Sequence, residues 1–297
     1  MINFGNVDEW HIGNNEVEKA YLNGTLVWEK FYYPEPFYVK NTSGSTQQIR
    51  IWRGTNSNLN ITVQKSTDGV NWDTWGTIGT SNIFLTYNLS NGQKLYLRAN
   101  TKTWCDVSQQ AIYQTHINGM SEVGGNILSL LYGSDFTGNE TSLRGESYTF
   151  NGLFAQSEPG NPLISAGNLI LPKNTTVHCY DQMFVGCTLL QSAPALPATS
   201  LAIFCYNEMF RGCSSLTVAP YLPATTLTSY CYYRMFYNCT SLERIVCNAV
   251  DISAEKCTAG WLNNVNQTGI FYKNPSAISW SSGISGIPDG WTVQDAT

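Results

Sequence analysis

The sequence predicts a mainly β protein with short helices, in which an N-terminal β-sandwich is followed by a capped solenoid. Three observations predict it: short alternating apolar runs before residue 105, cysteines recurring every 26 residues after residue 178, and the decay of that period towards both of its ends.

The repeat occupies residues 151–272. Cys179, Cys205, Cys231 and Cys257 recur at steps of 26, as do Cys187, Cys213 and Cys239. That step falls in the range of about 20 to 29 residues covered by leucine-rich repeats. The same register carries Met183-Phe184, Met209-Phe210 and Met235-Phe236, then Leu190, Leu216 and Leu242. Stacked coils place equivalent residues above one another at about the 4.8 Å spacing of neighbouring strands, so like-sized apolar groups fill each column without voids. These cysteine, methionine and phenylalanine columns are therefore read as a structural ladder.

Within a coil, Cys179 and Met183 are four apart and predict one face of a short helix. Gly186, Gly212, Asn238 and Asn264 follow at the position where a left-handed residue would end that helix. Leu190 to Leu196 and Leu216 to Leu222 read as short extended stretches, with Pro194 and Pro220 at the flank of the ladder, where a missing N–H is tolerated. Asn151 to Phe154 and Ile164 to Pro172 read as a degenerate first coil with an insertion, after a transition and N-terminal cap over 106–150. Trp261-Leu262 replaces Met-Phe, and the pattern dissolves through Phe271, Trp280 and Trp291 into a C-terminal cap over 273–297. Terminal coils must cover an apolar end, so atypical caps are expected.

Residues 34–105 carry the alternation of half-buried strands: Gln48 to Trp52, Leu59 to Gln64, Ile83 to Tyr87 and Lys94 to Arg98. Asp68-Gly69 marks a tight turn, and Trp72 and Trp75 are expected to close one end of the core. Ahead of this, residues 1–33 contain a hairpin, Val17 to Leu22 and Thr25 to Glu29 around Asn23-Gly24, followed by Phe31 to Tyr33. A lone hairpin is too small to be stable, so this segment is expected to dock on the sandwich or on another chain.

Charged residues make up 12% of the chain and the net charge is -5, with no Lys/Arg cluster able to track a phosphate backbone, so nucleic acid is not an expected partner. No stretch approaches the roughly 20 apolar residues that span a membrane, so membrane insertion is not expected either.

Cysteines spaced by eight do not match zinc ligand pairs, and none of the three histidines, His11, His116 and His178, recurs with them. No metal or cofactor is expected. In a helix, an i, i+8 pair lies about two turns apart, too far to bond, whereas a non-helical coil leaves an oxidised pair open. No nucleophile elbow, phosphate loop or HExxH helix is present. Asp135 and Glu140 are the one carboxylate pair considered for glycoside hydrolysis, against the reading of a polar turn. No catalytic residue is therefore assigned. Candidate ligand-binding residues are Trp75, whose ring offers a flat face to a sugar, and Arg211, Tyr221, Tyr233, Arg234 and Tyr237, which lie off the ladder columns.

Cys205-Tyr-Asn-Glu-Met-Phe-Arg-Gly-Cys213-Ser-Ser-Leu216, followed by Ala219-Pro-Tyr-Leu-Pro-Ala-Thr-Thr226, resembles the BspA-type leucine-rich repeat over about residues 150–272. The order of hairpin, Ser66-Thr-Asp-Gly-Val-Asn-Trp72 module, coils and a tail such as Gly286-Ile-Pro-Asp-Gly-Trp-Thr-Val293 is similar to appendage proteins of phages infecting gut Bacteroidales, and to surface proteins of those bacteria. The resemblance implies a non-enzymatic virion fibre of head or tail, or a decoration protein. Its N-terminal region would meet other virion proteins and its coils a host surface protein or glycan, in a homo-oligomer for which the likeness favours a trimer. A bacterial surface adhesin, a purely structural virion component and, last, a glycan hydrolase are the alternatives. The segment Met1 to Trp10 lacks the basic start and apolar run of a secretory signal, which favours the virion surface over the bacterial surface as location.

Overall fold

The structure is a computed structural model that describes residues 35–53, 59–79, 84–105, 115–155, 162–277 and 280–296, together with four short strands before residue 30. The protein is mainly β. It divides into two units, Met1–Glu35 and Pro36–Thr297.

The first unit contains two hairpins. β1 (His11–Ile12) pairs antiparallel with β2 (Asn15–Glu16), and β3 (Lys19–Leu22) with β4 (Thr25–Glu29). Leu22 faces Thr25, which leaves two residues for the connection, the loop length expected of Asn-Gly. Asn23, Gly24 and Phe31 to Tyr33 lie outside the described residues.

The second unit opens with two sheets. β5 (Tyr38–Lys40), β7 (Ile61–Ser66), β8 (Asp73–Ile78), β10 (Lys94–Ala99), β12 (Glu122–Asn126) and β13 (Ser165–Ile170) form a six-stranded sheet in the order β13-β12-β5-β10-β7-β8. β6 (Gln47–Arg53), β9 (Phe84–Leu89) and β11 (Thr115–Asn118) form a three-stranded sheet with β6 in the middle. Strand alternation turns Val39, Val63, Leu95 and Leu97 of the first sheet, and Ile49, Ile51, Leu85, Leu89 and Ile117 of the second, into one core. Residues 106–150 thus supply β11 and β12 to these sheets. The Asp68 carboxylate accepts the Val70 and Asn71 N–H groups at 2.8 Å each and closes the turn, while Gly69 takes φ +76°.

The described helix is short: α1 (Ser129–Tyr132), continued by a 3-10 turn at Gly133–Asp135. Ser129 pins it to the larger sheet, since its hydroxyl accepts the Phe37 N–H and donates to the Leu97 carbonyl, both at 2.9 Å.

After residue 147 the chain winds into stacked coils, and the helix expected over Cys179 to Met183 does not form. A left-handed residue instead stands at every fourth position: His178, Gln182 and Gly186, then Phe204, Glu208 and Gly212, then Tyr230, Arg234 and Asn238. Between them the N–H groups alternate. Cys179, Asp181 and Met183 donate to carbonyls three residues back, whereas Tyr180, Gln182 and Phe184 donate to Cys205, Asn207 and Met209 in the next coil at 3.0, 2.9 and 2.9 Å. Gly186, Gly212, Asn238 and Asn264 are left-handed as expected, but each closes a run of tight turns rather than a helix.

Each left-handed L-residue costs about 1–2 kcal/mol locally. Stacking offsets this by burying like on like: the rings of Phe154, Phe184, Phe210 and Phe236 follow one another at 5.3, 5.4 and 5.6 Å. A second internal column runs Phe150, Tyr180, Tyr206, Tyr232 and Trp261 at 5.7–6.3 Å. Phe37 stacks on Phe154 at 5.9 Å, so the coil core is continuous with the sheet core.

The opposite side of the coils is extended. Bridges join Ser165 to Ser192 and Val218 to Arg244, and continue into a parallel sheet of β14 (Arg244–Cys247), β15 (Gly269–Lys273) and β16 (Trp291–Asp295). Ala219 and Leu222 donate to Arg244 and Val246 on either side of Pro220, which has no N–H to give. At the far end Trp280 stacks on Trp261 at 5.3 Å, and the Trp261 and Trp291 indoles donate to the Gly286 and Asn266 carbonyls.

Candidate functional site

The ladder cysteines are buried within the stack. The thiols of Cys187, Cys213 and Cys239 donate to the carbonyls of Phe154, Phe184 and Phe210 in the preceding coil at 3.2, 3.2 and 3.0 Å. All nine cysteines are free and buried. Burial pushes the thiols of Cys179, Cys187, Cys231 and Cys239 up to about 12, and those of Cys205 and Cys213 well above the ordinary value. A thiol held protonated is a poor nucleophile and a poor metal ligand. Among the described residues no group of three or more His, Cys, Asp and Glu side chains is placed to hold a metal ion.

Of the predicted binding residues, Arg211, Tyr233, Arg234 and Tyr237 come together on two adjacent coils. Glu208 and Arg234 occupy equivalent left-handed positions, with φ 51° and 48°, so stacking sets acid above base. The Glu208 carboxylate takes Arg211 at 2.9 Å and Arg234 at 3.8 Å. The Arg234 guanidinium lies 5.1 Å from the Tyr233 ring and 5.6 Å from that of Tyr237, and Arg211 lies 5.7 Å from Tyr237. Both arginine side chains remain exposed, at 43% and 44%, while that of Glu208 is 10% exposed and serves as their anchor. Two guanidinium forks are thereby oriented beside two phenol rings, an arrangement able to grip carboxylates, hydroxyls and flat apolar faces.

Tyr221 is exposed beside the bridge from Leu222 to Cys247 and takes no part in that cluster. Trp75 packs partly against the sheet core, its ring 6.1 Å from Tyr87 in an edge-on contact. Trp72, expected to close the core, instead lies half-buried with the Arg98 guanidinium 4.2 Å above its ring. Glu140 accepts the Thr137 N–H and hydroxyl and the Gly138 N–H at 2.7–2.8 Å. Burial raises its pKa, but these bonds outweigh burial and leave it below the ordinary value.

An aromatic column on the coil surface escaped the sequence reading. Tyr148, His178, Phe204 and Tyr230 stack face to face at 4.2, 4.4 and 4.4 Å, and the Lys256 ammonium lies 5.4 Å from the last ring. The signal was present, because His178, Phe204, Tyr230 and Lys256 each precede a ladder cysteine at the 26-residue step. His178 Nδ1 lies 2.7 Å from Asp181, which also accepts the Asn207 amide at 2.7 Å. Burial raises the Asp181 pKa against the pull of these two bonds. Tyr230 meets Tyr233 at 5.6 Å, so the column and the Arg/Tyr cluster form one continuous face.

No protein-family model, curated protein or solved structure matches this chain. Among the described residues no helix is long and apolar enough to cross a membrane.

Proposed function

We propose that the chain is a non-enzymatic fibre or decoration protein of a phage virion. In this reading the two sheets are the layers of a β-sandwich, and the coils are a capped leucine-rich-repeat solenoid of BspA type. The N-terminal region joins other virion proteins, and the coil face meets a host surface protein or glycan. The resemblance to appendage proteins favours a homotrimer on the virion surface as the form of assembly.

The observation that carries an attachment role is the Glu208-anchored cluster of Arg211, Arg234, Tyr233 and Tyr237. Arginine and tyrosine dominate binding hot spots, and anchoring them before contact lowers the ordering cost of association. The test is binding of the purified chain to host cells by flow cytometry, comparing the native protein with a Tyr233→Ala/Arg234→Ala variant whose fold is checked by circular dichroism. The double substitution is expected to weaken binding by about tenfold or more. Unchanged binding by the folded variant would remove the coil face from attachment.

A further inference from the structure

We propose that the outer face of the three-stranded sheet is a separate binding site for a carboxylate-bearing saccharide such as a uronic acid unit. The sheet buries Ile49, Ile51, Leu85 and Ile117, and alternation turns Gln48, Arg50, Trp52, Phe84, Thr86 and Asn118 to the other face. These six, together with Arg53, whose Nε–H donates to the Gly79 carbonyl at 3.1 Å, line a cavity of about 480 Å³. That volume falls within the roughly 300–1,000 Å³ of ordinary ligand pockets.

The register builds two parallel rows across the sheet. His116, Trp52 and Phe84 stand opposite one another in one row, and Asn118, Arg50 and Thr86 in the next, two residues along the strands or about 7 Å away. The aromatic row stores apolar surface where the core gains nothing from it. Phe84 is 56% exposed, and Trp52 lies half-buried on His116 with ring centroids 4.6 Å apart. Pyranose rings present apolar C–H faces that stack on such rings, while their hydroxyls need donors and acceptors at the rim.

The polar row supplies those groups. The Arg50 Nε–H donates to Gln48 Oε1 at 3.0 Å, which orients the guanidinium and leaves both terminal nitrogens without a partner among the described residues. The Asn118 amide and the Thr86 hydroxyl add further donors and acceptors to the lining. The lining contains no acidic side chain, although the whole chain carries a net charge of -5. His116 is neutral at physiological pH: burial holds it down to about 4, and its Nδ1 lies 2.8 Å from the Gly152 carbonyl. Arg50 is thus a solvent-facing cation beside an aromatic platform, and a guanidinium fork matches a carboxylate in two-point contact.

The test is isothermal titration calorimetry of the full chain with two probes at low salt. One is a tetrasaccharide of alternating glucuronate and N-acetylglucosamine, and the other is a neutral tetrasaccharide of N-acetylglucosamine. The acidic probe is expected to bind about tenfold tighter than the neutral one, since a hydrogen bond to a charged group contributes about that factor. Arg50→Ala is expected to erase this preference and Phe84→Ala to weaken binding of both probes. Both substitutions lie on the solvent face, and thermal unfolding verifies that each variant is folded. Equal binding of the two probes, no binding of the acidic probe, or native affinity in either variant overturns the proposal.

Discussion

The Cys213 thiol donates to the Phe184 carbonyl of the preceding coil at 3.2 Å, and one coil on, Cys239 repeats the bond to Phe210 at 3.0 Å. A residue at this position must be small enough for the stack and must present a donor to a buried carbonyl. Serine would meet both needs at a higher desolvation cost, and alanine only the first.

Cys213→Ala is therefore expected to cost about 1–3 kcal/mol of stability, combining a lost hydrogen bond with a small void. Urea unfolding followed by tryptophan fluorescence checks this, and a change below about 0.5 kcal/mol would show that the bond contributes nothing net.

Raised thiols link stability to pH. An unfolded cysteine ionises from its ordinary value of 9.0, whereas Cys187 and Cys239 in the fold stay protonated up to about 12. Above 9 the unfolded chain binds fewer protons than the folded one, so stability is full below that value and falls as pH rises towards 12. Melting temperature is expected to decline across this window, and a thiol reagent at pH 8 is expected to leave the ladder cysteines unmodified until the protein unfolds. Rapid modification of the native protein would contradict the buried ladder.

Gly212 holds φ +77°, and an added Cβ would lie 3.6 Å from the Gly186 backbone, so space is available but the conformation is not. Gly212→Val is expected to lose about 1–2 kcal/mol or more, whereas Asn238→Gly, at φ 62°, is expected to be neutral within about 0.5 kcal/mol. Paired thermal melts test the contrast. Equal effects of the two substitutions would mean that the left-handed positions do not limit stability.

The Glu208 carboxylate faces two arginines. Glu208→Gln removes the charge that orients both, and is expected to cost about 1 kcal/mol or less, because the arginines remain solvated. Its larger effect is expected on binding, with host-cell affinity falling as it does in the Tyr233/Arg234 variant. Full affinity in Glu208→Gln would show that the guanidinium orientation is irrelevant to attachment.

The repeat was legible because stacking demands like residues at equal intervals, and the Cys, Met and Phe columns are all buried where the period placed them. The expected helix failed for a related reason. A spacing of four between Cys179 and Met183 fits a helix face, but it also fits tight turns reset by a left-handed residue every fourth position. Alternate N–H groups bonding to the next coil select the second arrangement, and a single coil's sequence cannot display an inter-coil bond.

Arg211, Tyr233, Arg234 and Tyr237 were legible as departures from the ladder, but Glu208 was not, because its role arises only when Arg234 stacks over it. Trp52 was hidden by its neighbours. In Ile49-Arg-Ile-Trp52 the core phase belongs to Ile49 and Ile51, so the largest apolar residue of the strand falls on the opposite face. Trp75, expected both to close the core and to offer a face to a sugar, lies half-buried with Tyr87 in an edge-on contact at 6.1 Å.

The most direct test of the central claim is immunogold electron microscopy with antibody to this protein, on purified phage particles and on uninfected bacterial cells from the same source. Label confined to particle appendages, at head or tail, is expected. Label on uninfected cells with none on particles would contradict it.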